Sequence, residues 1–245
     1  MAKGHLKQIL LITDGCSNHG EDPIAMAALA NEQGITVNVI GIVDENAIDQ
    51  EAIQEVEEIA MSGGGVHQIV YAKQLSQTVQ MVTRKAMTQT LQGVVNKELQ
   101  QILGTHTSME ELPPEKRGEV MEVVDELGET VSLEILILVD TSASMKPKLP
   151  TVKEALLDLS ISLNSRIGAN QFSVSVFPGK RDDVEKVLDW TPKLESLSSV
   201  FSKLSTGGIT PTGPAIKDAI QHFEKKRSLR SLLRNEEEYY DESGM

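Results

Sequence analysis

The 245-residue chain has one cysteine, Cys16, so no disulfide can form within it. That usage fits a reducing compartment. Aromatic residues make up 3% of the chain against 40% hydrophobic residues overall, so a core must be built from Ile, Val, Leu, Ala and Met. Basic residues are short: 23 Lys and Arg face 36 Asp and Glu, a formal net charge of −13. Such a chain is repelled by phosphate backbones and anionic bilayers. Nucleic acid and membrane surfaces are therefore excluded as general partners, whereas basic proteins and metal ions stay open. Long apolar runs are also missing. The run at residues 9–12 is too short for a signal-peptide core or a membrane span, and the expectation is a soluble, cytoplasmic protein.

The pattern that is present alternates strands and helices. Residues 8–13, 35–43 and 66–71 read as strands. Residues 22–33, ended by Gly34, and 49–60, capped by Asp49, read as helices. A long helical stretch covers 75–103, with Gly93 the place where a break would fall. Residues 104–132 change character, with Gly104, Pro113, Pro114, Gly118 and Gly128 among glutamates. They read as an exposed acidic connector with a short helix at 119–127. The second half restarts with a strand at 133–140, a helix at 153–167 and a strand at 172–177. A short strand at 184–188, a helix at 194–204 and a helix at 213–223 follow. Residues 225–245 read as a charged, flexible tail, basic and then acidic. Alternation of this kind predicts an α/β fold with a mainly parallel sheet covered on both faces. Each half supplies about three strands, too few to bury its own sheet, so residues 1–103 and 133–224 are expected to form one composite domain.

Two of these strands end in aspartate. One reads Leu10-Leu11-Ile12-Thr13-Asp14-Gly15, the other Ile137-Leu138-Val139-Asp140-Thr141-Ser142-Ala143-Ser144. Ligand sites of parallel sheets lie at the carboxyl ends of strands, so the two aspartates could face one crevice. Asp140-x-Ser142-x-Ser144 puts three hard oxygen donors in one turn, suited to magnesium or manganese rather than zinc or copper. Hydroxyls are neutral, so such a cation would keep room for one more acidic oxygen from outside. Gly207-Gly208-Ile209-Thr210-Pro211-Thr212-Gly213 offers a threonine on a glycine loop before a helix, with Thr210 preferred to Thr212 as a ligand.

Asp140-Thr-Ser142-Ala-Ser144-Met145 resembles the metal-ion-dependent adhesion site of von Willebrand factor A domains. Thr210-Pro-Thr-Gly213-Pro-Ala215-Ile216 resembles the family's threonine loop. The segment from Leu11 to Asn18 is similar to the strand carrying the site's last aspartate. The resemblance covers residues 8–82 and 133–221 and is strongest to bacterial intracellular members. It implies a Rossmann-like fold, Mg2+ (or Mn2+) as cofactor, and Asp140, Ser142, Ser144, Thr210 and Asp14 as the metal residues. It also implies a protein partner that docks through an acidic residue. The order departs from the family's: the lone-aspartate strand comes first, as a circular permutation would give. A thirty-residue connector spans about 100 Å when extended, so the halves could close within a monomer or between chains of a swapped dimer.

Other readings compete. Asp-x-Ser-x-Ser alone is a common chance pattern, and it is the agreement of three separate motifs that carries the site. Cys16 with His19 could suggest a catalytic pair, but no orienting third group is recognisable. Ser17 reads as loop support, and the other histidines as surface residues. A magnesium-dependent phosphatase of the haloacid dehalogenase type would need an acid two residues after its aspartate. Ser142 and Cys16 stand there instead, so no enzyme is expected. A structural dimer with an incidental metal remains a further alternative, as does a tail carboxylate that visits the site.

Overall fold

The computed structural model of the chain describes residues 5–43, 49–103, 112–202 and 204–242. Six strands form one sheet: β1 (His5–Thr13), β2 (Ile35–Val43), β3 (Gly64–Tyr71), β4 (Ser132–Asp140), β5 (Asn170–Phe177) and β6 (Glu185–Thr191). Their order is β3-β2-β1-β4-β5-β6. Neighbours run parallel throughout except β5 and β6, which are antiparallel. The two halves of the chain therefore meet at the centre of one sheet, where β1 pairs with β4 from His5 opposite Ser132 to Ile12 opposite Val139.

Strand periodicity sorts the aliphatic residues onto two faces. Leu10, Ile12, Ile135, Ile137 and Val139 join one core with α3 (Leu75–Leu103) and α5 (Leu149–Leu163). Ile9, Leu11, Leu136 and Leu138 join the other with α1 (Pro23–Glu32), α2 (Gln50–Ser62) and α7 (Thr212–Glu242). Both faces are covered, which is why these strands read as near-continuous apolar runs.

Helix ends follow local chemistry. Asp22 caps α1 by accepting from the Ile24 N–H, and Asp49 caps α2 by accepting from Glu51 and Ala52. Such a cap contributes about 1 kcal/mol. Gly34, at φ +72°, turns the chain from α1 into β2, a conformation that favours glycine.

Several boundaries differ from expectation. α3 is unbroken through Gly93. The described part of the connector is a full helix, α4 (Pro114–Thr130), rather than a short helix in an exposed loop. Proline at the first helical position is compatible with helix initiation, and α4 packs on α3, with Gly128 near Met87 and Leu91. Arg166 ties the end of α4 down, donating to the carbonyls of Gly128 and Val131 and to Asn170 Oδ1. The start of the connector, residues 104–111, lies outside the described residues. α5 begins at Leu149, with Pro150 in its first turn, four residues earlier than the spacing suggested. α6 (Leu197–Phe201) is much shorter than the expected 194–204. α7 continues to Glu242, through the segment expected to be a flexible tail. Lys226 of this helix lies 3.2 Å from Glu134 and 3.6 Å from the centre of the Trp190 ring, and Trp190 packs on Phe223. The acidic side chains 236–242, and with them the notion of a visiting carboxylate, lie outside the described side chains.

Candidate metal centre

Sheet topology decides where a site can be. β1 leads through α1 to β2 on one side, and β4 leads through α5 to β5 on the other. The chain directions part between β1 and β4, and at such a switch point the loops diverge and leave a crevice at the carboxyl ends. Thr13 and Asp140 end these two neighbouring strands.

Asp140 is fully buried. Its Oδ1 accepts from the Ser142 N–H at 2.7 Å, closing a tight turn, and its Oδ2 accepts from Thr13 Oγ1 at 2.7 Å. Burial nevertheless dominates and pushes its carboxyl up to about 6; the bonds from Ser142 and Thr13 offset part of this, and Asp14 adds to the rise. Ser142 and Ser144 hydroxyls lie 3.2 Å apart, and Ser144 Oγ donates to Asp14 Oδ1 at 2.8 Å. Asp140, Ser142, Ser144 and Asp14 thus form one connected cluster although Asp14 precedes Ser144 by 130 residues.

Thr210 joins through its backbone. Its N–H donates to Asn18 Oδ1 at 2.8 Å, and its carbonyl accepts from the Asn18 N–H at 3.1 Å. Gly207 N–H donates to the Thr141 carbonyl at 3.0 Å, so the threonine loop is fastened to both aspartate loops. The Thr210 side chain is buried, as is that of Thr212, whose hydroxyl has no hydrogen-bond partner among the described residues. No hydrogen bond links the Thr210 hydroxyl to the other four side chains among the described residues. Ser17 supports the loop: its N–H donates to Glu55 Oε1 at 2.7 Å. Burial raises the Glu55 carboxyl, and this bond partly opposes the rise.

Close backbone approach sets the threonine loop in place. A Cβ on Gly213 would stand 1.8 Å from the Glu21 carbonyl oxygen, and one on Gly20 would stand 2.2 Å from the Pro214 ring. Gly213→Ala must push the start of α7 away from the turn before α1. Overpacking of this kind costs about 2–3 kcal/mol, which for a chain of this length lowers the melting temperature by roughly 5–10 °C. A thermal melt of Gly213→Ala checks this; wild-type stability would show that the two backbones are not in contact.

Residues that the sequence did not single out complete the cluster. Thr13 holds Asp140, and Asn18 clamps Thr210. Lys148 Nζ lies 2.7 Å from Asp14 Oδ2, with side chains only 6% and 1% exposed, so this ion pair is sealed from water. No signal in the sequence marked Lys148, because the helix was expected from residue 153 and the start at Leu149 appears only in the fold.

The donor set fits a hard divalent cation: two carboxylates and at least two hydroxyls converge, all oxygen. Among the described residues no three His, Cys, Asp or Glu side chains are grouped to hold a metal, so a cation here would depend on hydroxyls. Among the described residues, no hydrogen bond joins Cys16 to His19. His19 faces Asp183 at 3.6 Å. Burial, with the carboxylates of Glu55, Asp49 and Glu51, pushes the Cys16 thiol up to about 11 and holds it protonated. Among the described residues, no helix is long and apolar enough to cross a membrane.

The family model of the von Willebrand factor type A domain matches residues 134–236, the half that carries Asp140, Ser142, Ser144 and Thr210. Over all 245 residues, and all of its relative, the chain is 74% identical to the uncharacterized protein YabS of Bacillus subtilis (strain 168). A crystal structure of an uncharacterized protein from Alicyclobacillus acidocaldarius subsp. acidocaldarius is 43% identical, with a TM-score of 0.83, covering 94% of this chain and 96% of that one.

Proposed function

Because the chain belongs to the von Willebrand factor type A family, we propose that it is a metal-dependent adaptor: Asp140, Ser142, Ser144, Thr210 and Asp14 hold one Mg2+ or Mn2+, and an acidic side chain of a protein partner completes the coordination. The observation that carries the reading is the hydrogen-bonded cluster joining Asp14 to Asp140, Ser142 and Ser144 across the two halves of the chain. The metal would be held by two carboxylates and neutral hydroxyls, and would offer a further coordination position to an acidic oxygen of the partner. The chain's residues do the rest. Thr13 and the Ser142 N–H orient Asp140, Asn18 fixes the threonine loop, and the sheet keeps both aspartates at one switch point.

Charge distribution supports an acidic partner. In a chain of net charge −13, a groove of about 490 Å³ beside the crevice is lined by Lys146 and Lys153 together with Leu149 and Phe201. Cations there favour encounter with a negative surface. The order of the halves is read as a circular permutation of the family's arrangement. In support, the Asp-x-Ser-x-Ser strand β4 lies at the sheet's centre beside the strand that leads to Asp14. The same features favour a binding module over an enzyme: Ser142 stands where a phosphatase of the haloacid dehalogenase type would need an acid, and the one thiol nearby is held protonated.

Affinity purification of the tagged full-length chain from its parent cells, in magnesium and in chelator, tests the adaptor role. The expected result is a defined partner retained in magnesium, released by chelator and absent with Asp140→Ala. A partner retained equally under all three conditions would overturn the metal-dependent reading and favour a structural role with incidental metal.

A further inference from the structure

The pairing of Lys148 with Asp14 has no place in a scheme where Asp14 serves only a divalent ion. Lys148 is the last residue before α5. Its N–H donates to the Met145 carbonyl at 2.8 Å, and its carbonyl accepts from the Val152 N–H at 3.0 Å, so its backbone is fixed at the mouth of the crevice. From there the ammonium reaches Asp14 Oδ2 at 2.7 Å, while Ser144 Oγ occupies Oδ1 at 2.8 Å. Both carboxylate oxygens of Asp14 are therefore engaged from the Asp140 half of the chain. The ammonium is sealed with its partner, and taking one member of such a pair away leaves the other's charge buried at high cost.

We propose that Lys148 is a tethered competitor cation: it neutralises Asp14 and holds the two halves of the site together without metal, and a divalent ion must displace its ammonium from Asp14 to bind. The inference rests on the metal reading given above. Charge arithmetic gives it direction. Asp14 and Asp140 supply two negative charges, and Lys148 returns one positive charge. An ion of charge two placed against Asp14 would meet an ammonium only a few ångströms away, with little water between the two cations to screen them. Metal affinity is thus set by how readily Lys148 leaves as well as by the ligands. Removing its charge has two opposite consequences: the metal-free protein loses its counter-ion, and the metal gains an unopposed site.

Titration calorimetry with manganese alone and magnesium alone, on wild type, Lys148→Met and Lys148→Arg in the full chain, tests this. Lys148→Met is expected to bind manganese at least tenfold more tightly than wild type and, without metal, to melt lower. Lys148→Arg keeps the charge and is expected to show no such gain. Equal or weaker binding by Lys148→Met, with wild type binding normally, overturns the competitor role alone. Absence of binding by both wild type and Lys148→Met overturns the metal reading with it. Amine labelling of wild-type Lys148, read by mass spectrometry, needs no variant to fold. The expected result is several-fold faster modification when manganese is bound. Unchanged or slower modification, with manganese bound, overturns displacement.

Discussion

Saturating magnesium or manganese is expected to raise the melting temperature of the wild-type chain, and neither Asp14→Ala nor Asp140→Ala is expected to show the gain. A ligand that binds only the native state at 100 times its Kd adds about 2.7 kcal/mol. For a chain of this length that corresponds to a rise of roughly 5–10 °C. Both variants are expected to fail for the same reason, since each removes one of the two carboxylates that Ser142 and Ser144 join into one cluster. Their baselines differ. Asp14→Ala leaves Lys148 buried without this partner and is expected to melt lower than wild type without metal. Asp140→Ala removes a carboxylate that burial already disfavours in its charged form. A gain that persists in Asp14→Ala but not in Asp140→Ala would mean that the halves do not share one site.

The gain also depends on pH, with a sign fixed by Asp140. Its carboxyl sits at about 6 in the folded chain against a usual value of 3.8. Between these values the folded form holds the proton and the unfolded form has released it. The group's contribution to metal-free stability is therefore lost as the pH rises from about 4 to about 6. Metal requires the carboxylate, so affinity moves the other way and falls as the pH drops below about 6. Melts at pH 7.5 and pH 5, with and without magnesium, are expected to show a smaller metal-induced gain at pH 5.

The second large effect concerns the chain as a whole. Divided within residues 104–111, it is expected to yield two fragments neither of which unfolds cooperatively when alone, and which regain a cooperative transition when mixed. β1 and β4 are each other's neighbours at the sheet's centre. Ile9, Leu10, Leu11, Ile12, Leu133, Ile135, Leu136, Ile137, Leu138 and Val139 are all essentially inaccessible there. If separation half-exposed these ten side chains at about 1 kcal/mol each, the loss of about 10 kcal/mol would match the whole stability of a typical domain, about 5–15 kcal/mol. Each fragment would also present an unpaired, apolar strand edge, a template for aggregation. Circular dichroism melts of the separate and mixed fragments check this. A sharp transition from either fragment alone would show an independent domain.

What the sequence determined by itself was the kind of element and the chemistry at its end. Aliphatic runs bounded by Asp14 and Asp140 specified buried strands with carboxylates at their tips, because periodicity and turn residues are local properties. Asp49 and Gly34 were legible for the same reason, since caps and left-handed turns depend on a few adjacent residues. The Asp-x-Ser-x-Ser turn was legible because its donors lie within five residues of one another.

Tertiary structure decided what depends on distant neighbours. That residues 114–130 form a helix against the rest of the fold comes with packing on α3 and with Arg166 holding the Gly128 and Val131 carbonyls, partners far off in sequence. The carriage of α7 past Phe223 comes with Lys226 meeting Glu134 and Trp190 across the sheet. The union of Asp14 with Ser144, 130 residues away, followed from β1 lying beside β4, which strand sequences permit but do not dictate. Lys148 shows the division most plainly. In the sequence it is one of many lysines near a helix start, and only the fold places a carboxylate within 2.7 Å of its ammonium and seals both from water.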